Sequence, residues 1–337
     1  MRYAKRSLIG MALLIMLCTY HLYGQQNIQF TQYIFNSLSI NPAYAGYKEE
    51  LFGQLGLRSQ WVNLEGAPQT GLMSIDGLLD LYGPRKHGAG FQLMADKLGP
   101  QAATSAYLNY AYRLRLDRGD TQRLSFGVGA GVTQYSLDGT MITVLDGGDQ
   151  ALPQGKISSF VPDVRLGIYY NSLRWYAGVS LMDALADYGD KNLFRWDKTV
   201  TDRMRRRRHL YAIAGMLFDL NESTKLRPSL LYKDDFMGPP SLDINAMFIF
   251  SDVLWLGGGF RTGVSAFRRD YQRFTGDQLS GLNAVTAVMQ VFASRRLRIG
   301  YSYDYMVSRL NGLQNGSHEV TIGITLGRPL DRVRCYF

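Results

Sequence analysis

Apolar and polar positions alternate along much of this chain. Over residues 297–307, Leu297, Ile299, Tyr301, Tyr303, Tyr305 and Val307 fall on one face, and Arg298, Gly300, Ser302, Asp304 and Met306 on the other. Leu124, Phe126, Val128, Ala130 and Val132 alternate in the same way with Ser125, Gly127, Gly129, Gly131 and Thr133. Strict alternation over ~10 residues is the period of a strand with one apolar face. Such segments occur near 50–61, 69–79, 88–97, 104–116, 123–137, 161–171, 174–185, 208–220, 224–234, 241–251, 253–263, 281–293, 296–307 and 317–327. That predicts about fourteen strands. No long amphipathic helix separates them, which excludes a parallel βαβ sheet.

Sandwiches and membrane barrels both alternate, so the connections must decide between them. Those after strands 6, 8, 10 and 12 are short, and those after strands 5, 7 and 11 are long, near 138–160, 186–207 and 264–280. Short and long connections therefore fall on opposite ends of the sheet. Together with the even strand number and the tyrosines on apolar faces, this matches a transmembrane antiparallel β-barrel with short periplasmic turns. The expected localisation is integral to the outer membrane, with both termini periplasmic.

Composition supports export. Among 337 residues, 37 Lys+Arg face 28 Asp+Glu, a net +9. The 46% hydrophobic content excludes a disordered chain. Arg2, Lys5 and Arg6 precede an apolar run from Leu8 to Leu17, too short to span a bilayer as a helix, so residues 1–24 read as a signal peptide. Leu17 before Cys18 makes a poor lipobox. Removal of that segment leaves 34 cations against 28 anions, or +6, with Cys335 as the only cysteine. The expected organisation is a signal peptide (1–24), an N-terminal plug or periplasmic segment (25–49), the barrel (50–327) and a periplasmic C-terminal tail (328–337).

Candidate chemistry is sparse. His87, His209 and His318 lack metal-ligand spacing, so no metal, catalytic or cofactor site is expected. Gly127-x-Gly129-x-Gly131 lies inside an alternating strand with no helix after it. It therefore reads as small lumen-facing residues or a close strand contact, and not as a nucleotide loop. Asp146-Gly147-Gly148-Asp149 reads as a solvated turn, with too few carboxylates for calcium. The run Arg205, Arg206, Arg207 and Arg208 opens strand 8 from a long outer connection. In an exported chain it suggests contact with lipopolysaccharide phosphates or a solvated loop tip; nucleic acid is a poor fit. Lumen-facing Asn109, Arg113, Arg115, Asp243, Asn245, Arg298 and Asp304 are polar or charged, and such charges can pair across a closed barrel.

The segment Gln29-Phe30-Thr31-Gln32-Tyr33-Ile34-Phe35-Asn36, followed by Asn41-Pro42-Ala43-Tyr44-Ala45-Gly46, resembles the mature N-terminus of the PorP/SprF family. Arg58-Ser59-Gln60-Trp61, Leu226-Arg227-Pro228-Ser229, Ile299-Gly300-Tyr301-Ser302-Tyr303-Asp304 and Ser317-His318-Glu319-Val320 extend the likeness along the chain. The resemblance implies an outer-membrane protein of the type IX secretion system of Bacteroidetes, with no enzymatic activity. It would assist secretion or surface retention of specific cargo, such as gliding-motility adhesins or proteins with a C-terminal sorting domain. Implied partners are a periplasmic ring lipoprotein or protein, a peptidoglycan-linked lipoprotein, the cargo and outer-membrane lipid. A FadL-type hydrophobic-solute channel, also a fourteen-stranded barrel with an N-terminal plug, is the rival reading. Independently of family, the aromatic residues Phe30, Tyr33, Phe35 and Tyr44 need burial. Phe30, Gln32, Tyr33, Asn41, Pro42 and Tyr44 are therefore candidates for a lumen plug or a partner-binding epitope.

Overall fold

The computed structural model describes residues 30–80, 83–142, 155–186, 207–236, 238–264, 282–307 and 312–326. The segments expected to be a signal peptide (1–24) and a C-terminal tail (328–337), with Asp146–Asp149, Arg205 and Arg206, lie outside them. Fourteen antiparallel strands follow in chain order: β1 (Leu51–Ser59), β2 (Gln69–Leu78), β3 (His87–Leu98), β4 (Gln101–Arg115), β5 (Arg123–Asp138), β6 (Lys156–Asn171) and β7 (Trp175–Met182). The second half comprises β8 (His209–Met216, continued by Phe218–Asp219), β9 (Thr224–Asp234), β10 (Ser241–Phe250), β11 (Leu254–Gly263), β12 (Leu282–Phe292), β13 (Leu297–Met306) and β14 (Ser317–Leu326). Each strand pairs with its sequence neighbour, and β14 returns to β1 with Leu51 opposite Leu326 and Ser59 opposite His318. The sheet is a closed barrel, so every strand has two neighbours.

Burial alternates with the opposite sense to that of a soluble protein. Leu55, Leu57, Phe126, Leu166, Ile299 and Val320 point outward and are exposed, while Gln54, Arg58, Ser74, Asn109 and Asp304 point inward and are buried. An apolar outer wall of this extent is stable only against lipid. Aromatic residues collect at both rims. At one, His87 Nδ1 lies 2.7 Å from Tyr110 Oη, and the Tyr170 and Trp175 rings are 4.3 Å apart. At the other, Tyr301 Oη lies 2.7 Å from His318 Nδ1.

The connections 172–174, 220–223, 251–253 and 293–296 gather at one end of the barrel, and the strand ends Asp138 and Lys156, Met182 and His209, and Gly263 and Leu282 lie at the other. The tight turns are built from local polar chemistry. In the 116–122 turn, the Thr121 hydroxyl (2.7 Å) and the backbone N–H groups of Thr121 and Gln122 donate to Asp117. These bonds, the Thr121 hydroxyl foremost, hold the Asp117 carboxyl below the usual carboxylate range.

The structure differs from the expected boundaries at identifiable points. β4 begins at Gln101 instead of near 104, and β6 at Lys156 instead of near 161, because β5 and β6 keep pairing out to Asp138 opposite Lys156. β7 stops at Met182, short of 185, where Asp183 turns into left-handed backbone (φ 53°). β8 lapses at Leu217, whose N–H donates to the Arg174 carbonyl. Arg115 was expected in the lumen; it lies exposed at the short-turn end, because the alternation carries it past the last buried position, Arg113.

Candidate functional site: the lumen segment

Residues 30–48 lie inside the barrel. They form three single 3-10 turns, Gln32–Phe35, Ser37–Ser39 and Pro42–Tyr44, and nearly every side chain is buried. Asn41 caps the last turn by accepting from Ala43 N–H at 2.9 Å, and Pro42 supplies the fixed φ of a first helical position. Gly46, at φ 72°, then turns the chain toward β1. Asn41-Pro42 and Ala45-Gly46 therefore both sit at turns.

Short 3-10 turns leave many backbone groups unpaired, and wall side chains satisfy them. Glu319 accepts from Thr31 N–H (2.8 Å) and Gln32 N–H (3.2 Å). The Gln32 amide donates to Glu319 O at 2.9 Å and accepts from the Thr321 hydroxyl at 2.6 Å. Arg227 donates to Ile34 O, the Ser180 hydroxyl to Ile40 O, and Gly46 N–H to Asp76. Asn245 donates to Tyr33 Oη at 2.7 Å, and Asn41 Nδ2 to Ile168 O at 3.0 Å. Apolar side chains complete the contact. Phe30 packs with Leu72, Met94 and Tyr107, Phe35 sits edge-on to Trp255, and the Tyr44 ring lies 5.5 Å from Tyr169.

Glycines in the wall make this fit possible. A Cβ on Gly127 would overlap the backbone of Pro42 and Ala43, one on Gly88 would overlap Ala45, and one on Gly167 would overlap the Asn41 amide. In the Gly127-x-Gly129-x-Gly131 strip, Gly129 and Gly131 leave room for Asn109 and the Tyr107 ring. The missing signal in the sequence was the partner, which lies more than 80 positions upstream of Gly127.

Charged side chains bridge the lumen in a continuous set. Arg58 reaches Asp304 at 2.6 Å and Glu319 at 3.1 Å, and also donates to the Thr31 hydroxyl. Arg261 lies 3.8 Å from Asp304 and 3.0 Å from Asp243, and Lys233 reaches Asp243 at 2.9 Å. Three cations thus face three carboxylates, all largely buried, which is how charge survives away from water. Toward the short-turn end, Glu49 gathers Arg85, Arg113 and Arg123 within 2.9, 3.3 and 3.7 Å.

On the long-connection side of the segment, a small cleft is lined by Phe30, Tyr33, Ile40, Met182, Arg165 and Lys233. Its cations are engaged, Lys233 with Asp243 and Arg165 with Gln92 (3.3 Å) and the face of Tyr107 (3.2 Å to the ring centre). Of the arginine run, Arg207 is half-buried, and Arg208 donates to Ala186 O at the base of the β7–β8 connection. No group of three or more potential metal ligands occurs among the described residues.

Architecture and outward-facing apolar wall define the class: a β-barrel of the outer-membrane type. Among solved structures, the chain is similar to the Ralstonia pickettii toluene transporter TbuX, at 10% identity over 86% of this chain and 93% of that one, with a TM-score of 0.51. The CymD monoaromatic hydrocarbon channel aligns at 9% identity over 91% and 96% of the two chains, with a TM-score of 0.50. At such identity these likenesses establish the fold alone. No curated protein gives a significant match. The family model for the type IX secretion system membrane protein PorP/SprF matches residues 22–324, and the chain belongs to that family.

Proposed function

We propose that this protein is a non-enzymatic outer-membrane component that assists secretion or surface retention of specific type IX cargo, with residues 30–48 acting as a plug that keeps its lumen closed. The observation that carries the plug reading is the burial of Phe30, Gln32, Tyr33, Asn41, Pro42 and Tyr44 against inward-facing wall residues. A periplasmic docking epitope would need those same side chains on the surface. The paired charges spanning the lumen favour a closed accessory barrel over a greasy conduit of the FadL type. Partners on the periplasmic side are a ring component and a peptidoglycan-linked lipoprotein.

Two experiments test this reading. Deletion of the gene in its native host should abolish surface display of a defined subset of cargo, and the tagged protein should co-purify from its membrane with periplasmic secretion components. Normal display of all cargo, or isolation of the barrel alone, would refute the assignment. Orientation is read by labelling. With Cys335 replaced, Leu313→Cys at the long-connection end should react with an impermeant maleimide on intact cells, and Asn221→Cys should react only after the outer membrane is breached. The reverse pattern would place the termini outside.

A further inference from the structure

Exposed arginines cluster on one side of the short-turn end. Arg115 and Arg118 stand at the β4–β5 turn, Arg174 at the β6–β7 turn, and Arg295 and Arg296 at the β12–β13 turn; all five are exposed. With the β2–β3 connection and its Arg85 and Lys86, these turns follow one another around the barrel from β12 through β1 to β7. The remaining sector, β8 to β11, presents exposed Asp219 and Glu222, and its Lys225 is bound to Asp252 at 2.9 Å. The mouth is polarised, with a broad cationic arc and a smaller acidic sector.

Carboxylates within the arc are engaged by the chain itself. Glu49 is shared by Arg85, Arg113 and Arg123, Asp120 takes Arg123 as well, and Asp117 closes its own turn. Arg115 stands directly opposite Arg123 in the β4–β5 ladder, a like-charge placement that costs stability. Arg123 is taken up by Glu49 and Asp120, and among the described residues Arg115 has no counter-charge of its own. The undescribed residues attached at this end do not change the sign. No Asp or Glu precedes Phe30, Leu81 and Tyr82 are neutral, and residues 327–337 bring Arg328, Arg332 and Arg334 against Asp331.

Strand parity separates the arc from the lipid-facing wall. Arg115 continues the inward row of Arg113. The Arg174 carbonyl accepts from Leu217 N–H and that of Arg296 from Thr325 N–H, and both partners are buried inward-facing residues. The outward neighbours Leu114, Leu116, Leu173 and Trp175 are apolar or aromatic, as suits a lipid interface. Arginines that held lipid headgroups would project from that outer row. These border the mouth of the barrel.

We propose that the arc is a docking face for a protein of the aqueous compartment next to it, one whose contacting surface carries Asp and Glu side chains. Guanidinium groups hold carboxylates bidentately, and a field of one sign steers an oppositely charged partner. The acidic sector from β8 to β11 repels the same surface and so fixes its orientation. This deepens the secretion reading and rests on it, by giving the periplasmic component a place on this chain; that the compartment is the periplasm rests on the orientation proposed above.

The test is photocrosslinking in native cells with p-benzoylphenylalanine in place of Ala293, an exposed residue of the β12–β13 turn. A discrete protein adduct is expected. Combining Arg115→Gln, Arg118→Gln, Arg174→Gln and Arg296→Gln should reduce it about tenfold, the joint effect of several individually weak exposed pairs. Lysine at the same four positions should retain most of the adduct, and Asp219→Asn with Glu222→Gln should retain all of it. Heat-modifiable migration on gels should persist in every variant. Raising the wash of the tagged complex from about 0.1 to about 1 M salt, which shortens the screening length from about 10 to about 3 Å, should release the same protein. An adduct undiminished by the glutamines or lost equally with the lysines, a lipid adduct, an adduct that sediments with the peptidoglycan sacculus, or no adduct would overturn the proposal. An arginine-dependent protein adduct in cells whose cargo display is normal without this protein would refute the secretion assignment and leave the docking face standing.

Discussion

Gly127→Leu is expected to push residues 41–45 out of their seat, lower the unfolding midpoint sharply and, on the proposed plug reading, open the lumen. The overlap created by a Cβ at this position falls on backbone atoms of Pro42 and Ala43, so no rotamer change relieves it. Either the segment moves or β5 bends, and β5 is held on both sides by β4 and β6. Moving the segment unseats Tyr44, which is 1% exposed and packs between Tyr47 and Tyr169. Loss of a buried aromatic of that kind costs about 3–5 kcal/mol. A chemical denaturation curve of the refolded barrel should register the loss. Planar-bilayer recordings should show discrete conductance steps for the variant and none for the unaltered protein. Gly56→Ala is the control: its added Cβ would meet Thr321 Cγ2 at 3.5 Å, an ordinary contact, and both properties should hold. If Gly127→Leu leaves midpoint and conductance unchanged, residues 30–48 do not close the lumen.

The barrel was legible because a membrane wall enforces a two-residue period. Every outward position must suit lipid and every inward one must suit the lumen, so Tyr301 and Tyr305 separate from Ser302 and Asp304 without reference to the rest of the chain. Strand parity and loop length then placed the ends. What stayed hidden depends on closure. Arg58 lies 246 positions from Asp304 and 261 from Glu319, and they meet because β14 returns to β1, where Arg58 stands opposite Glu319. Nothing periodic announces that pairing. The aromatic residues of the N-terminal segment signalled a need for burial, but its seat is a set of glycines scattered from Gly88 to Gly300, recognisable only once the wall is assembled. The extra reach of β6 was missed for a related reason. Lys156–Asp163 interrupts its alternation with two serines and a proline, and it keeps strand form there by pairing with β5.

Removing the charge of Arg58 should be the most damaging single substitution among the lumen ion pairs. The Arg58, Asp304 and Glu319 side chains are only 3%, 1% and 1% exposed, so water cannot replace a lost partner. In Arg58→Met two carboxylates face each other, and the nearest remaining cation is Arg261 at 3.8 Å from Asp304, itself shared with Asp243. Breaking a buried pair from one side costs about 3–5 kcal/mol, because the stranded charge keeps its desolvation penalty. Arg58→Lys should recover part of that, since it restores the charge but not the two-pronged reach to Asp304 and Glu319. Glu319 also accepts the N–H groups of Thr31 and Gln32, so an unneutralised carboxylate at this position should loosen the start of the lumen segment. The stability loss of Arg58→Met should therefore be accompanied by conductance. The triple variant Arg58→Met, Asp304→Asn, Glu319→Gln removes the charges together and preserves shape and acceptors, so its denaturation midpoint should lie well above that of the single variant. A triple variant no more stable than Arg58→Met would mean that bulk at position 58, and not charge balance, holds this side of the lumen closed.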